Sequence, residues 1–525
     1  WEGRTYHGAA EWLMYRARIP VEDYEQLAAR FNPVEFDAGA WVSLAKDAGM
    51  KTIVITAKHH DGFAMFASQA SPYNVVDATP FQRDPLQELA EACRQEGLKL
   101  GFYYSQYQDW HERDAAGNTW DFPESGDFSA YLRDKAMPQI HELLTNYGPI
   151  ALIWFDTPGD ISAEASRELL DTIRKLQPDC LVNSRIGNGL GDYETLGDQQ
   201  VPLTPRDGLW ETIDTHNDSW GFAKHDHNWK SPQTLIGRLA RLVSLGGNYM
   251  PNVGPTGAGV IPPASAAILR EVGAWLGRNG ASIYGAGRSP VGAQPWGCCT
   301  LRDDTLYLHV CHWPRDGEVW IPAVGAAATD ARFLVSGEPV AITRHGEHVS
   351  LSVPAHPPDE PLTVIAVTLA SLPPEVVPGA YLHAGMINEL SAPFATLTDC
   401  RCGKYRWMEQ FGDHHYIDAI ENWTDRSAAR WSFTALRAGR YVIHADYECR
   451  AEGEGSVFEL AVADQCWTFP VICTGGGVGT RKRLRHVQLG MVHIPEGPAQ
   501  LTLKGVEIRG DNAILIEKMT LAPFV

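Results

Sequence analysis

Several short polar clusters each close an apolar run, and their residue types suit acid–base and hydroxyl-binding chemistry. His59-His60-Asp61 follows Thr52-Ile53-Val54-Ile55-Thr56, Ser105-Gln106 follows Leu98-Lys99-Leu100-Gly101-Phe102-Tyr103-Tyr104, Asp156 follows Ile150-Ala151-Leu152-Ile153-Trp154-Phe155, and Ser184-Arg185 follows Leu181-Val182-Asn183. Asp156 is a carboxylate placed beside aromatic surface. Such a group suits cleavage of a glycosidic bond, in which one carboxylate attacks the anomeric carbon. A second, about 5 to 5.5 Å away, protonates the leaving oxygen and later activates water. Glu194, Asp198 and Glu211 are candidates for that second role. Their spacing does not choose among them, and each also fits a solvated acidic loop.

Two histidines and an acid at 59–61 raise the question of a metal. Neighbours on a strand point to opposite faces, so both histidines reach one ion only where the strand breaks into loop. Neutral hydrogen bonding to a polyhydroxylated ligand is the expected role, with no metal and no cofactor.

The elements that must position these groups alternate. From about 50 to 285, apolar runs of strand length exchange with segments of helical period, as repeated βα units do. Asp84 caps one helix, Pro85 opens it, Leu86, Leu89, Ala90 and Cys93 share a face, and Gly97 closes it. A (β/α)8-type barrel and a doubly wound sheet both fit, but no G-x-G-x-x-G fingerprint supports the second. Polar clusters at the carboxyl ends of successive strands favour the barrel. We therefore expect a barrel domain over 1–286.

Beyond it the helical period fades. Thr305-Leu306-Tyr307-Leu308-His309-Val310 and its neighbours predict a small antiparallel β-sandwich over 287–371. Pro373, Pro374 and Pro378 then mark a joint, and 380–525 is again all-β. Within that last region, Ala429-Arg430-Trp431-Ser432-Phe433 and Ala438-Gly439-Arg440-Tyr441 resemble carbohydrate-binding modules of the sandwich type. A spacer sandwich is the alternative. Cys473-Thr474-Gly475-Gly476-Gly477-Val478-Gly479 is expected as a loop without phosphate-binding character.

Bulk properties narrow the class. The 525 residues carry a formal net charge of -20, which opposes nucleic-acid binding. No apolar run is long enough for a spanning helix. The ten cysteines form no disulfide framework, and Cys400-x-Cys402 lacks the second half of a zinc site. The chain opens at Trp1 without a signal-like segment, so a processed or trimmed start is expected. The sequence assigns no compartment, and a secreted or periplasmic location is only slightly favoured over a cytoplasmic one.

Taken together, several stretches resemble the α-L-fucosidases of glycoside hydrolase family 29, from the first residues to about 286. They are Ala10-Glu11-Trp12, Phe31-Asn32-Pro33, Lys58-His59-His60-Asp61-Gly62-Phe63, Trp154-Phe155-Asp156, Asn183-Ser184-Arg185, Asn217-Asp218-Ser219-Trp220-Gly221 and Asn248-Tyr249-Met250-Pro251-Asn252-Val253-Gly254-Pro255. The resemblance implies a retaining, exo-acting hydrolase that releases terminal L-fucose from a fucosylated oligosaccharide or glycoconjugate by double displacement. Asp156 would be its nucleophile. Glu11, Trp12, His59, His60, Tyr103, Trp154, Arg185 and Trp220 would form the sugar pocket. Tyr103 is preferred to Tyr104 because Gly101, Tyr103 and Ser105 share one strand face, one of which must point inward.

The chain departs from the family pattern in two places. Where the family has a Glu ahead of a Pro, counting back from Pro202 gives Asp198, so Asp198 is the expected acid/base, with Glu194 and Glu211 as rivals. The family's first barrel strand, ending in Phe-Ile-His-Trp-Gly, also has no counterpart, so a barrel lacking its first strand is expected. A catalytically impaired fucose-binding relative, or a fragment of such an enzyme, is the alternative reading.

Overall fold

The computed structural model describes residues 1–124, 126–475 and 482–524. The N-terminal region is built on seven parallel strands: β1 (Thr52–Lys58), β2 (Lys99–Tyr104), β3 (Leu152–Phe155), β4 (Leu181–Val182), β5 (Glu194–Thr195), β6 (Trp210–Thr215) and β7 (Asn248–Asn252). β1 to β4 form one sheet in chain order and β5 to β7 another. A parallel bridge between Asn183 and Tyr193 links them. The register pairs Thr56 with Tyr103 and Tyr103 with Trp154, which brings the carboxyl ends of the first three strands to one level.

Helices connect the strands and cover them. Pro85–Glu96 starts as its sequence requires: the Asp84 carboxylate accepts from the amides of Leu86 and Gln87, and Gly97 closes the helix at φ 73°. Leu86, Leu89 and Cys93 are buried in one core with Phe102, Ile153 and Leu169. That core holds the strand ends, and with them the site, at fixed positions.

Among the described residues no strand pairs with the outer edge of β1 or of β7. Across the open arc, Ala38–Asp47 and Pro263–Asn279 pack together, with Gly273 so close to the Asp47 carbonyl that no Cβ could fit. A small closed barrel fills its interior with side chains. Here a cavity of 1710 Å³ instead runs from the mouth at Asp156 down past Ile53, Ile55 and Leu152 to the arc.

Two antiparallel units follow. In the first, a sheet ordered Ala328–Phe333, Thr363–Leu369, Thr305–Val310, Gly297–Arg302 faces a three-stranded sheet over Trp296, Leu308, Val319 and Ile365. Trp275 of the barrel donates its indole N–H to Leu362 O at 2.7 Å, tying the two units together. In the second, two six-stranded sheets enclose Trp431, Tyr441, Phe458 and Met519. Trp431 and Tyr441 are therefore core residues and offer no stacking platform. All ten cysteines are free thiols. The predicted loop at 473–479 falls partly outside the described residues. No helix among the described residues is long and apolar enough to cross a membrane.

Candidate active site

Phe155 turns into the core, so the next side chain, that of Asp156, faces the barrel mouth. Thr157 follows at φ 44°, a conformation unusual for a β-branched residue, and takes the chain sharply away. The Asp156 amide donates to Gln106 Oε1 at 3.2 Å. Its Oδ2 accepts the Tyr103 hydroxyl at 2.7 Å, and its Oδ1 accepts Arg185 Nη1 at 2.7 Å. The other arm of Arg185, Nη2, donates to Asp198 Oδ1 at 2.5 Å. One guanidinium fork thus spans two carboxylates at the cavity mouth. Burial works against the Arg185 charge, but Asp198 and Asp156 outweigh it and raise its pKa further.

His59 and His60 follow β1 and meet Asp156, at the end of β3, across the intervening strand β2. His59 stacks on Tyr103 at 5.5 Å, and Tyr103 stacks on Trp154 at 5.4 Å. Burial, then His60, depresses the His59 pKa well below the usual value; burial, then Lys58, takes His60 to about 3. Both rings are neutral near pH 7. The Ser105 hydroxyl donates to Gln108 O, so its oxygen accepts from His60 Nδ1 at 2.7 Å, which leaves His60 Nε2 as a bare acceptor. Behind them, Lys58 and Lys135 share the buried Asp109, each at 3.0 Å, and anchor the loop. Tyr103 keeps its proton: burial, then Asp156, pushes its pKa far up. Tyr104 points the other way, into the core, and donates to Gln139.

The remaining acids separate by direction. Glu194 and Thr195 are adjacent on β5 and face opposite sides; Glu194 is exposed and pairs with Arg206 at 2.7 Å. Glu211 is buried under Trp154, accepting its indole N–H at 2.6 Å and the Thr195 hydroxyl at 2.8 Å. Burial raises its pKa. Glu11 lines the cavity beside Trp12, with Oε2 buried and unpartnered and its pKa raised by burial. Trp12 meets His60 edge to face at 5.0 Å, and Trp220, held through its carbonyl by Asn252, lines the opposite wall.

His59, His60 and Asp156 each offer a ligand atom within 4.8 Å of the others. The same set can hold a cation or a cluster of hydroxyls. A sugar ring additionally uses the Trp154, Trp12 and Trp220 surfaces, for which a bare ion has no need.

Some lining residues have no signal in the sequence reading. His216 presents an unpartnered Nε2, with burial taking its pKa down to about 4. Arg406, Met408 and His414 reach the same cavity from the C-terminal sandwich. Their separation along the chain hides them from any motif.

Parallel strands carrying paired carboxylates at their carboxyl ends, followed by antiparallel β domains, define a glycoside hydrolase of the β/α type. The family model for α-L-fucosidase matches residues 4–281. The chain is 29% identical over 385 residues to tissue α-L-fucosidase of Rattus norvegicus, covering 68% of this chain and 77% of that one. Over its full length it resembles the crystal structure of α-L-fucosidase from Vibrio sp. strain EJY3, with 30% identity, a TM-score of 0.78 and 93% of that chain covered. The barrel is similar to α-L-fucosidase AlfC from Lactobacillus casei in complex with its α-L-fucose product, at 45% identity and TM-score 0.50, covering 52% of this chain and 90% of that one. This chain belongs to the α-L-fucosidase family.

Proposed function

We propose that the chain releases terminal L-fucose from fucosylated glycans with retention of configuration. Asp156 is the nucleophile and Asp198 the acid/base. The observation that carries this reading is the single Arg185 fork contacting Asp156 at 2.7 Å and Asp198 at 2.5 Å, which keeps the two carboxylates close without fusing them. Neither Glu194, turned outward, nor Glu211, occupied with Trp154, faces the mouth in this way.

In the first step an Asp156 oxygen bonds to the anomeric carbon as the glycosidic C–O bond breaks, and the Asp198 proton passes to the leaving oxygen. In the second, Asp198 takes a proton from water, whose oxygen displaces Asp156 from the anomeric carbon and frees fucose. His59, His60 and Arg185 bind hydroxyls, Tyr103 steadies Asp156, and Glu11 takes part in the same polar wall. Trp12, Trp154 and Trp220 supply the apolar surface that a C6 methyl requires. The functional division we adopt is a catalytic domain at 1–286 with sandwiches at 287–371 and 380–525.

The test compares the parent with Asp156→Ala and Asp198→Asn on an aryl α-L-fucoside and an unactivated fucosyl disaccharide. Asp156→Ala is expected to lose both activities. Asp198→Asn is expected to lose at least ten-fold more on the disaccharide, whose poor leaving group needs the proton. Equal losses would reassign the acid, and fucose binding without turnover by the parent would return the reading to an impaired relative.

A further inference from the structure

The C-terminal sandwich does more than sit beside the barrel. Its antiparallel hairpin, Arg401–Met408 with His414–Glu421, pairs Arg406 with Tyr416 and Met408 with His414. Those four side chains therefore share one face, while Trp407 and His415 stack on the other at 5.2 Å. The first face looks onto the barrel mouth. His414 N donates to Gln199 Oε1 at 2.5 Å, and Gln199 Nε2 donates to Asp413 Oδ1 at 2.6 Å. At its tip, Gln410 O accepts the Gly8 amide at 2.6 Å. The hairpin is thus pinned to the loop carrying Asp198 and to the segment that leads into Glu11.

His414 gives the clearest sign that something else is accommodated. A guanidinium can only donate, so Arg406 Nη2, 3.0 Å from His414 Nε2, makes that nitrogen the acceptor and puts the ring proton on Nδ1. Nδ1 is buried without a hydrogen-bond partner, 4.0 Å from Asp198 Oδ2, and the His414 side chain is only 10% exposed. A buried donor stopping short of a carboxylate is costly unless a third group receives it.

Resting on the assignment of Asp198 as acid/base, we propose that this hairpin face forms the binding site for the sugar on the leaving-group side of the scissile bond. The ligand is a hydroxylated pyranose: His414 Nδ1–H and Arg406 donate to its hydroxyls, and Met408 covers an apolar patch of its ring. Linkage preference is then set by a domain outside the barrel.

Arg406→Ala, Met408→Ala and His414→Gln are compared with the parent on α-L-fucosyl fluoride, whose leaving group is too small to reach the hairpin. The second substrate is whichever of fucosyl-(1→2)-galactose, fucosyl-(1→3)-N-acetylglucosamine and fucosyl-(1→6)-N-acetylglucosamine the parent cleaves fastest. The ratio of kcat/KM for disaccharide to that for fluoride should fall ten-fold or more in Arg406→Ala and His414→Gln, and less in Met408→Ala. An unchanged ratio, with both substrates affected equally or neither, overturns the proposal, and so does a parent that cleaves the fluoride and none of the disaccharides. A parent inert even on the fluoride defeats the assignment of Asp156 and Asp198 first, and the subsite with it.

Discussion

His60 Nε2 faces Asp156 Oδ2 at 3.6 Å, and the nitrogen has no hydrogen-bond partner. Because the His60 proton is committed to Ser105, both atoms are acceptors, and their juxtaposition is satisfied only by a donor placed between them. On the proposed reading, a sugar hydroxyl supplies one.

His60→Ala should therefore weaken transition-state binding by about 2 kcal/mol, roughly 30-fold in kcat/KM, the usual cost of a lost buried hydrogen bond. Steady-state kinetics on an aryl fucoside checks this. A change under three-fold would mean that His60 only packs against Trp12.

Glu211 separates a positioning role from a catalytic one. Removing its carboxylate leaves the Trp154 indole N–H and the Thr195 hydroxyl unpaired, which costs about 1 to 3 kcal/mol for each buried group. Glu211→Ala should lower the melting temperature and raise KM, whereas Glu211→Gln, which keeps an acceptor, should restore much of both. A selective loss on poor leaving groups in Glu211→Gln would make Glu211 the acid.

Glu194→Gln breaks only an exposed ion pair with Arg206. Stability should change by less than about 0.5 kcal/mol and kcat/KM by less than two-fold. A loss of a hundred-fold would place Glu194 in the site.

Acid should destabilise the fold through its buried histidines, a trend that Asp61, raised by burial to about 6, opposes only in part. His60, His309 and His383 are each held near 3 by burial, against a usual 6.5. A histidine with a depressed folded pKa contributes fully above 6.5, and stability is lost as pH falls from there towards 3, because the unfolded chain binds the proton first. Each can cost roughly 2 kcal/mol by pH 5. Melting temperature should fall between pH 7 and 5, and a flat profile over that range would contradict the neutral, buried assignment.

Much of the fold is legible in the sequence because its signals are local. The Asp84 cap, Pro85 and Gly97 bound a helix that starts and stops where those residues require, and apolar runs ending in polar clusters place strands at a barrel mouth. The choice among acids is not legible, since spacing says nothing about direction: Glu194 and Thr195 are neighbours, yet one meets solvent and the other Glu211. Nor could a motif reveal that His414 touches Gln199, 215 positions away, because that contact depends on how the last sandwich docks. Trp431 and Tyr441, legible as aromatics, prove to be core because period-2 alternation turns them inward.

The central claim is that Asp156 forms a covalent bond with fucose. Incubation with a 2-deoxy-2-fluoro fucosyl fluoride, followed by intact-mass measurement and peptide mapping, tests it directly: the inductive fluorine slows turnover and lets the intermediate accumulate. The account predicts one fluorofucosyl group per chain, on Asp156, and none in Asp156→Ala. A label on any other carboxylate, or turnover of an aryl fucoside with no label at all, would contradict it.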